Sequence, residues 1–224
     1  MLSIETSIDL GSVALWEAGE MLDQADMPPG QRTAQSLAPS VAALLAKRGW
    51  APRDIRLVAV SIGPGSFTGL RIGVTTAKTF AYAVGAEVIG VSTIEAIAQR
   101  AAGDLVEVAV AMDAQRGDVF AGTCRRSGGG VMRLTGPVEL VPAQPWLEGR
   151  PRGSYVTGPA LRKLAERLPP GVTAVAPEFW SPVAESGGLV GWRRFEAGDR
   201  DDLWKLAPLY FRRSAAEEKW EARS

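Results

Sequence analysis

The segment Gly63-Pro64-Gly65-Ser66-Phe67-Thr68-Gly69-Leu70-Arg71-Ile72-Gly73 holds the densest grouping of residues that could address a ligand. A β-branched apolar run (56–62) feeds it, and a helical pattern follows from about residue 69 to 84. A strand, then glycines, then a helix N-terminus is how α/β proteins build anion sites. Backbone N–H groups point outward there, and the helix dipole favours negative charge. The common templates do not fit. A Walker A loop places lysine directly after its last glycine, whereas the next lysine here is Lys78. The dinucleotide fingerprint needs glycine where Thr68 stands, and a nucleophile elbow needs it where Pro64 stands. Two readings therefore stand side by side: a phosphate loop, or a tight turn whose glycines take positive φ.

Other groups offer chemistry at lower density. Glu5-Thr6-Ser7 ends the first strand with an acid and two hydroxyls, suited to a phosphate, a metal-bound water or simply a turn. Asp113 closes the run VEVAVAMD, as a cleft-facing carboxylate or as a cap for the turn after it. Glu5, Ser66, Thr68 and Asp113 are thus the candidate cofactor-binding residues. Thr75 and Thr76 beside Lys78 form a hydroxyl–lysine group, although a helix-borne lysine is ordinarily solvated. The pairs Arg125/Arg126, Arg193/Arg194 and Arg212/Arg213 form no single stripe, so ion pairing is expected over RNA contact.

Composition excludes more. None of the 224 residues is histidine, which removes Ser-His-Asp and Cys-His catalysis. The single cysteine, Cys124, excludes an intrachain disulfide and makes a zinc site untenable. Lys and Arg together number 25, equal to Asp and Glu, so counterion-driven binding to nucleic acid or anionic lipid is not expected. No apolar run approaches the ~20 residues of a membrane span. The opening MLSIETSIDL has no basic stretch, so a cytoplasmic protein without a secretory signal is expected.

These groups need elements to position them. Runs at 2–6 and 12–16 read as a hairpin, 19–25 as a third strand, and 33–48 as a helix with Leu37, Val41, Leu44 and Leu45 at helical spacing. Strands at 56–62 and 88–91 and helices at 69–84 and 93–102 complete a β-β-β-α-β-α-β-α order, an α/β layer structure with a mixed sheet. Strands at 106–113, 118–124 and 131–134 open a second unit near Gly103. A proline- and glycine-rich stretch follows, with one helix at about 160–168. The expected division is 1–102 and 103–224, with a tail helix over about 204–224 packing back on the first unit. No tandem repeat is visible. Along the 69–84 helix, Gly69, Gly73, Ala77 and Ala81 recur every four residues, a ridge that lets another helix approach closely. With the 33–48 helix it is expected to form a partner interface of Leu37, Val41, Leu45, Gly69, Leu70, Gly73, Ala77, Phe80 and Ala81. Gly73→Leu is then expected to block pairing and leave the monomer folded.

Taken together, several segments resemble the TsaB (YeaZ) family of accessory proteins in tRNA threonylcarbamoyladenosine synthesis. They are IETS (4–7) with SVALW (12–16), GPGSFTGLRIGVTTAKTFAYA (63–83), VSTIEA (91–96), MDAQRGDVF (112–120) and PLYFRRSAAE (208–217). The resemblance implies an actin/hexokinase-like (ASKHA) α/β fold of two related lobes, with mixed sheets flanked by helices. It implies a non-catalytic paralogue of the transferase TsaD, paired with it through the two N-lobe helices, self-paired when alone, and joined by the ATPase TsaE. It implies no cofactor of its own, ATP and Mg only in the complex, and indirect contact with tRNA. The paralogue's His-x-x-x-His metal site is replaced here by Gln31-Arg32-Thr33-Ala34-Gln35-Ser36, and Glu5 stands where the fold's first phosphate motif has aspartate. An ASKHA-type small-molecule kinase or ATPase is the alternative, and a glycoprotease-type peptidase the third.

Overall fold

The computed structural model describes residues 1–211 apart from Ala102 and Gly129. Strands β1 (Leu2–Glu5), β2 (Ser12–Glu17), β3 (Glu20–Asp26), β4 (Leu57–Gly63) and β5 (Glu87–Ser92) form one sheet in the order β3-β2-β1-β4-β5. The pairs β1–β2 and β2–β3 are antiparallel, while β1–β4 and β4–β5 are parallel. Helix α1 (Thr33–Arg48) joins β3 to β4, α2 (Phe67–Val84) joins β4 to β5, and α3 (Thr93–Gln99) follows.

The second half repeats this plan. Its strands are β6 (Glu107–Asp113), β7 (Asp118–Arg126), β8 (Met132–Leu134), β9 (Glu139–Pro142), β10 (Tyr155–Thr157) and β11 (Thr173–Ala174). They run β11-β10-β6-β7-β8, with β9 also on β7. As in the first sheet, the opening strand is central, with antiparallel neighbours on one side and parallel ones on the other. Helices α4 (Ala143–Glu148), α5 (Leu161–Leu164) and α6 (Ala184–Glu196) occupy the places of α1, α2 and α3. The fold is mixed α/β with two related lobes, the actin/hexokinase-like class expected from the resemblance.

Burial explains the sequence patterns. Strand β4 reads as almost wholly apolar, Ser61 being its one hydroxyl, because helices cover both its faces. On one face, Leu37, Val41, Leu44 and Leu45 of α1 and Val74, Ala77 and Ala81 of α2 pack with Leu2, Ile4, Val58 and Val60. On the other, Val190 of α6 joins Trp16, Ala59, Ile89 and Val91. The second sheet is covered by α3, through Ile94, Ile97 and Ala98, and on its far side by α4 and α5. Helices α3 and α6 pack on each other, so the layers run α1/α2, sheet, α3/α6, sheet, α4/α5.

Helix α6 begins within the proline- and glycine-rich stretch, where the sequence marks one helix only, at about 160–168. Gly187, Gly188 and Gly191 read as breakers, at a cost of about 1 kcal/mol each in a helix. Here Gly188 and Gly191 let the helix lie close on the sheet: a Cβ at Gly191 would come 2.7 Å from the Ala59 Cβ, and one at Gly188 would overlap the Trp16 indole. The expected helix at 160–168 is shorter, α5 followed by a 3₁₀ turn at residues 165–167. The expected tail helix is not formed over its described part. A turn held by Asp202, which accepts from the Trp204, Lys205 and Leu206 N–H groups, leads into irregular chain along α2, with the Trp204 and Leu206 carbonyls accepting from Lys78 and the Leu209 N–H donating to Ile62 of β4. Residues 212–224 lie outside the described set.

Candidate functional site

The glycine loop and the end of β1 form one unit. Ser66 donates its N–H to the Ser7 carbonyl at 2.7 Å, and its hydroxyl caps α2 by accepting from the Gly69 N–H at 3.2 Å. Three glycines then seat on Glu5-Thr6-Ser7. A Cβ at Gly65 would overlap Ser7, one at Gly69 the Thr6 carbonyl oxygen, and one at Gly73 the Thr6 hydroxyl. These glycines therefore bring the start of α2 against the end of β1. The Thr6 hydroxyl is itself buried without a hydrogen-bond partner among the described residues.

Glu5 is fully enclosed, with 1% of its surface exposed. One carboxyl oxygen accepts from the Ser7 N–H at 2.6 Å and the other from the Ser61 hydroxyl. Burial raises its pKa above the ordinary 4.5, and the hydrogen bonds from Ser61 and Ser7 offset this only in part. Between the unfolded and folded values, the native state holds a proton that the unfolded chain releases. The stability due to Glu5 is therefore complete below pH 4.5 and is lost as pH rises through the folded value. Glu5→Gln keeps the shape and both partners without the charge, so its melting temperature should lack this decline. At pH 8 it should melt above the parent. Thermal melts of both proteins from pH 4 to 8 check this, and parallel curves would refute it.

Of the other candidates, Ser66 and Asp113 line a cleft of about 650 Å³ bounded by both lobes, with Arg100 and Arg162 on its wall. Both arginines hold Ser181, through its carbonyl (2.7 Å, Arg100) and its hydroxyl (2.9 Å, Arg162). Burial alone would raise the Asp113 carboxyl, but the Lys163 ammonium and the Gln115 N–H outweigh it and hold the group below the usual range. Thr68 is exposed in the first turn of α2, and neither it nor Glu5 lines the cleft. The cleft thus brings together two of the four candidate residues. Among the described residues no group of three or more His, Cys, Asp or Glu is placed to hold a metal. Lys78 donates to the Trp204 and Leu206 carbonyls, at 3.0 and 2.9 Å, so it acts as a clamp. Arg125 pairs with Glu107, and Arg193 and Arg194 with Glu196 and Asp199.

The expected interface residues need correction. Leu37, Val41, Leu45, Gly69, Leu70, Gly73, Ala77 and Ala81 are all buried within this chain, and Phe80 is half-buried against the same cluster. Four-residue spacing identifies a narrow face but not what lies opposite, and here strand β1 fills the space. Gly73→Leu would therefore disturb the monomer itself. The ridge that does face solvent is on α1: Ala34, Ala38, Ala42 and Ala46 recur at the same period and are all exposed, beside Pro39 and Ala43. The same search for small residues every four positions, applied to α1, identifies it. On α2 the exposed arc holds Thr68, Arg71, Thr75 and Thr79.

Strand order, duplicated lobes and the strand-end loops define an actin/hexokinase-like α/β protein. A family model described as TsaD, tRNA N6-adenosine threonylcarbamoyltransferase, matches residues 30–167, more than half the chain. The chain is 35% identical over 133 residues to the tRNA threonylcarbamoyladenosine biosynthesis protein TsaB of Escherichia coli strain K12, covering 58% of this chain and 57% of that protein. It is 36% identical over 110 residues to the Bacillus subtilis strain 168 protein of the same name, covering 49% and 48%. The match thus spans about half the length of these curated relatives. YeaZ from Pseudomonas aeruginosa superposes with a TM-score of 0.80 at 29% identity, over 93% of this chain and 98% of that one. A second Pseudomonas aeruginosa structure, described by similarity to peptidase YeaZ, does so over 94% and 98% with the same score. The chain belongs to the TsaB (YeaZ) family. Among the described residues, no helix is long and apolar enough to cross a membrane.

Proposed function

We propose that this chain is a non-catalytic subunit in tRNA threonylcarbamoyladenosine synthesis, pairing with a TsaD-type transferase in the cytoplasm. The observation that carries this reading is the outer face of α1 and α2. An alanine ridge without charge lies in the open on α1, flanked by the threonines of α2, on the side of the two helices away from their buried cluster. Small residues at a four-residue period suit close helix–helix packing. The relatives named for this biosynthesis, and the transferase family model spanning both helices, indicate a partner with a comparable helix pair. Self-pairing through the same face occurs when the partner is absent, and a TsaE-type ATPase joins the assembled complex. ATP and magnesium act only there, and tRNA is handled by the partner. The enclosure of Glu5 and the Asp113–Lys163 ion pair support the absence of independent nucleotide turnover.

One observation keeps an ATPase or kinase reading in view: Ser66 and Asp113 share the cleft. A peptidase reading has no such support, because histidine is absent and burial pushes the Cys124 thiol well above its ordinary range. The deciding experiment is co-expression with the TsaD-type transferase, co-purification, and tRNA threonylcarbamoylation assayed with and without this chain. The expected result is a stable pair whose modification activity depends on this chain, which alone neither modifies tRNA nor turns over ATP. Stoichiometric ATP hydrolysis by the pure chain would establish the enzyme reading instead.

A further inference from the structure

Ten large apolar side chains are exposed among the described residues, and five of them, Phe67, Tyr82, Trp204, Leu209 and Tyr210, lie on one edge where residues 203–211 run beside α2. Lys78 clamps two carbonyls of this strap, and the Leu209 N–H donates to the Ile62 carbonyl at 2.7 Å. Tyr82 meets Trp204 edge-on at 5.5 Å. Arg71 donates to the Tyr210 hydroxyl at 2.8 Å while its guanidinium lies 3.9 Å over the Phe67 ring, and the two rings are 4.9 Å apart. The edge is held from several sides, yet Trp204 remains 73% and Tyr82 67% exposed.

Interface physics indicates what such an edge does. Helices of 16 and 18 residues side by side offer a footprint of about 25 by 20 Å, roughly 500 Å², against the ~800 Å² per partner of a stable interface. The exposed α1 and α2 face is also short of anchors, being alanine and threonine, whereas binding energy concentrates on Trp, Tyr and Arg. Those residue types lie next to it: at 100° per residue, Arg71 and Tyr82 adjoin Thr75 and Thr79 on the exposed arc of α2. We propose that the edge of Arg71, Tyr82, Trp204 and Tyr210 is the second half of the interface, docking the same partner that covers α1 and α2. This rests on the pairing reading above. The occupant is a partner presenting an apolar hollow to Trp204 and an acid to Arg71. Neither α1 nor α2 contains Asp or Glu; Lys47 is paired with Asp23 and Lys78 is turned to the strap carbonyls, which leaves Arg48 and Arg71 as the positive charges of this face. A second copy of this chain would oppose like charges and so pair more weakly, only when the partner is absent, whereas an acidic partner complements them. Because the strap is already fixed, docking orders little that was mobile.

The test measures affinity of the full-length chain for the TsaD-type transferase by calorimetry. Three proteins are compared with the parent: the double variant Tyr82→Ala/Trp204→Ala, Arg71→Glu, and Ala42→Arg on the α1 ridge as a reference. The double variant and Arg71→Glu should each bind at least tenfold more weakly, with melting temperatures within 2 °C or so of the parent. If they bind at parental affinity while Ala42→Arg fails, the edge proposal is overturned and the pairing reading stands. If the parent itself does not bind, the pairing reading falls and takes this one with it. If the variants weaken self-association of the pure chain but not partner binding, the occupant is a second copy and the proposal is wrong.

Discussion

Gly69→Ala is expected to destabilise this chain by about 3 kcal/mol or more, lowering its melting temperature by roughly 6–12 °C. The added Cβ would overlap the backbone carbonyl of Thr6, which cannot swing aside as a side-chain tip can. Gly73→Ala meets the Thr6 hydroxyl instead, an atom that makes no hydrogen bond among the described residues and is lost at little cost. The two substitutions therefore separate in a double-mutant cycle. Thr6→Ala should recover most of the loss from Gly73→Ala and almost none of the loss from Gly69→Ala. Thermal or urea unfolding of the five variants measures this. Equal recovery in both would mean that the glycines are not the seat of strand β1.

Ala42→Arg should weaken pairing with the transferase by at least 100-fold while leaving the isolated chain folded. Ala42 is exposed, so the new side chain reaches solvent in the monomer. Within a helix–helix contact built on alanine, the same guanidinium is buried without a partner and costs several kcal/mol; a factor of 100 needs only about 2.7. Glu148→Arg, on the exposed side of α4 in the opposite outer layer, changes charge in the same direction and should leave pairing unaffected. Sedimentation or calorimetry with purified partner distinguishes them. Retained affinity in Ala42→Arg would remove the alanine ridge from the interface.

Most of the first lobe was legible in the sequence. Helix α1 occupies the residues expected of it, because Leu37, Val41, Leu44 and Leu45 trace a single buried face and Gly49, at φ 69°, ends it. Strand β4 was legible for the opposite reason, having no exposed face to alternate. Helix α6 was not. Its three glycines contradict helix propensity, and the reason for two of them, Gly188 and Gly191, lies in Trp16 and Ala59, more than 100 residues away in sequence. Strands β10 and β11, of three and two residues, are too short for any periodicity to appear. The duplication was hidden for a related cause: the two halves share strand order and helix placement, which need only matching patterns of burial, not matching residues.

At the candidate site, the sequence singled out the right glycines and assigned them the wrong neighbour. Composition marks a helix face as narrow but carries no information on whether the object opposite is a strand of the same chain or another molecule. The alanines of α1 show the reverse, being ordinary helix formers by propensity whose significance comes only from their exposure.

The placement of α3 and α6 has a consequence for how the chain can be divided. Each helix closes the sheet of the half to which it does not belong in sequence, α3 the second and α6 the first. A fragment ending near residue 102 would lack one wall of its core, and the complementary fragment would lack the other. The halves are mutual templates. Neither is a foldable module by itself, the two should melt in a single transition, and separately expressed halves should regain structure only on mixing.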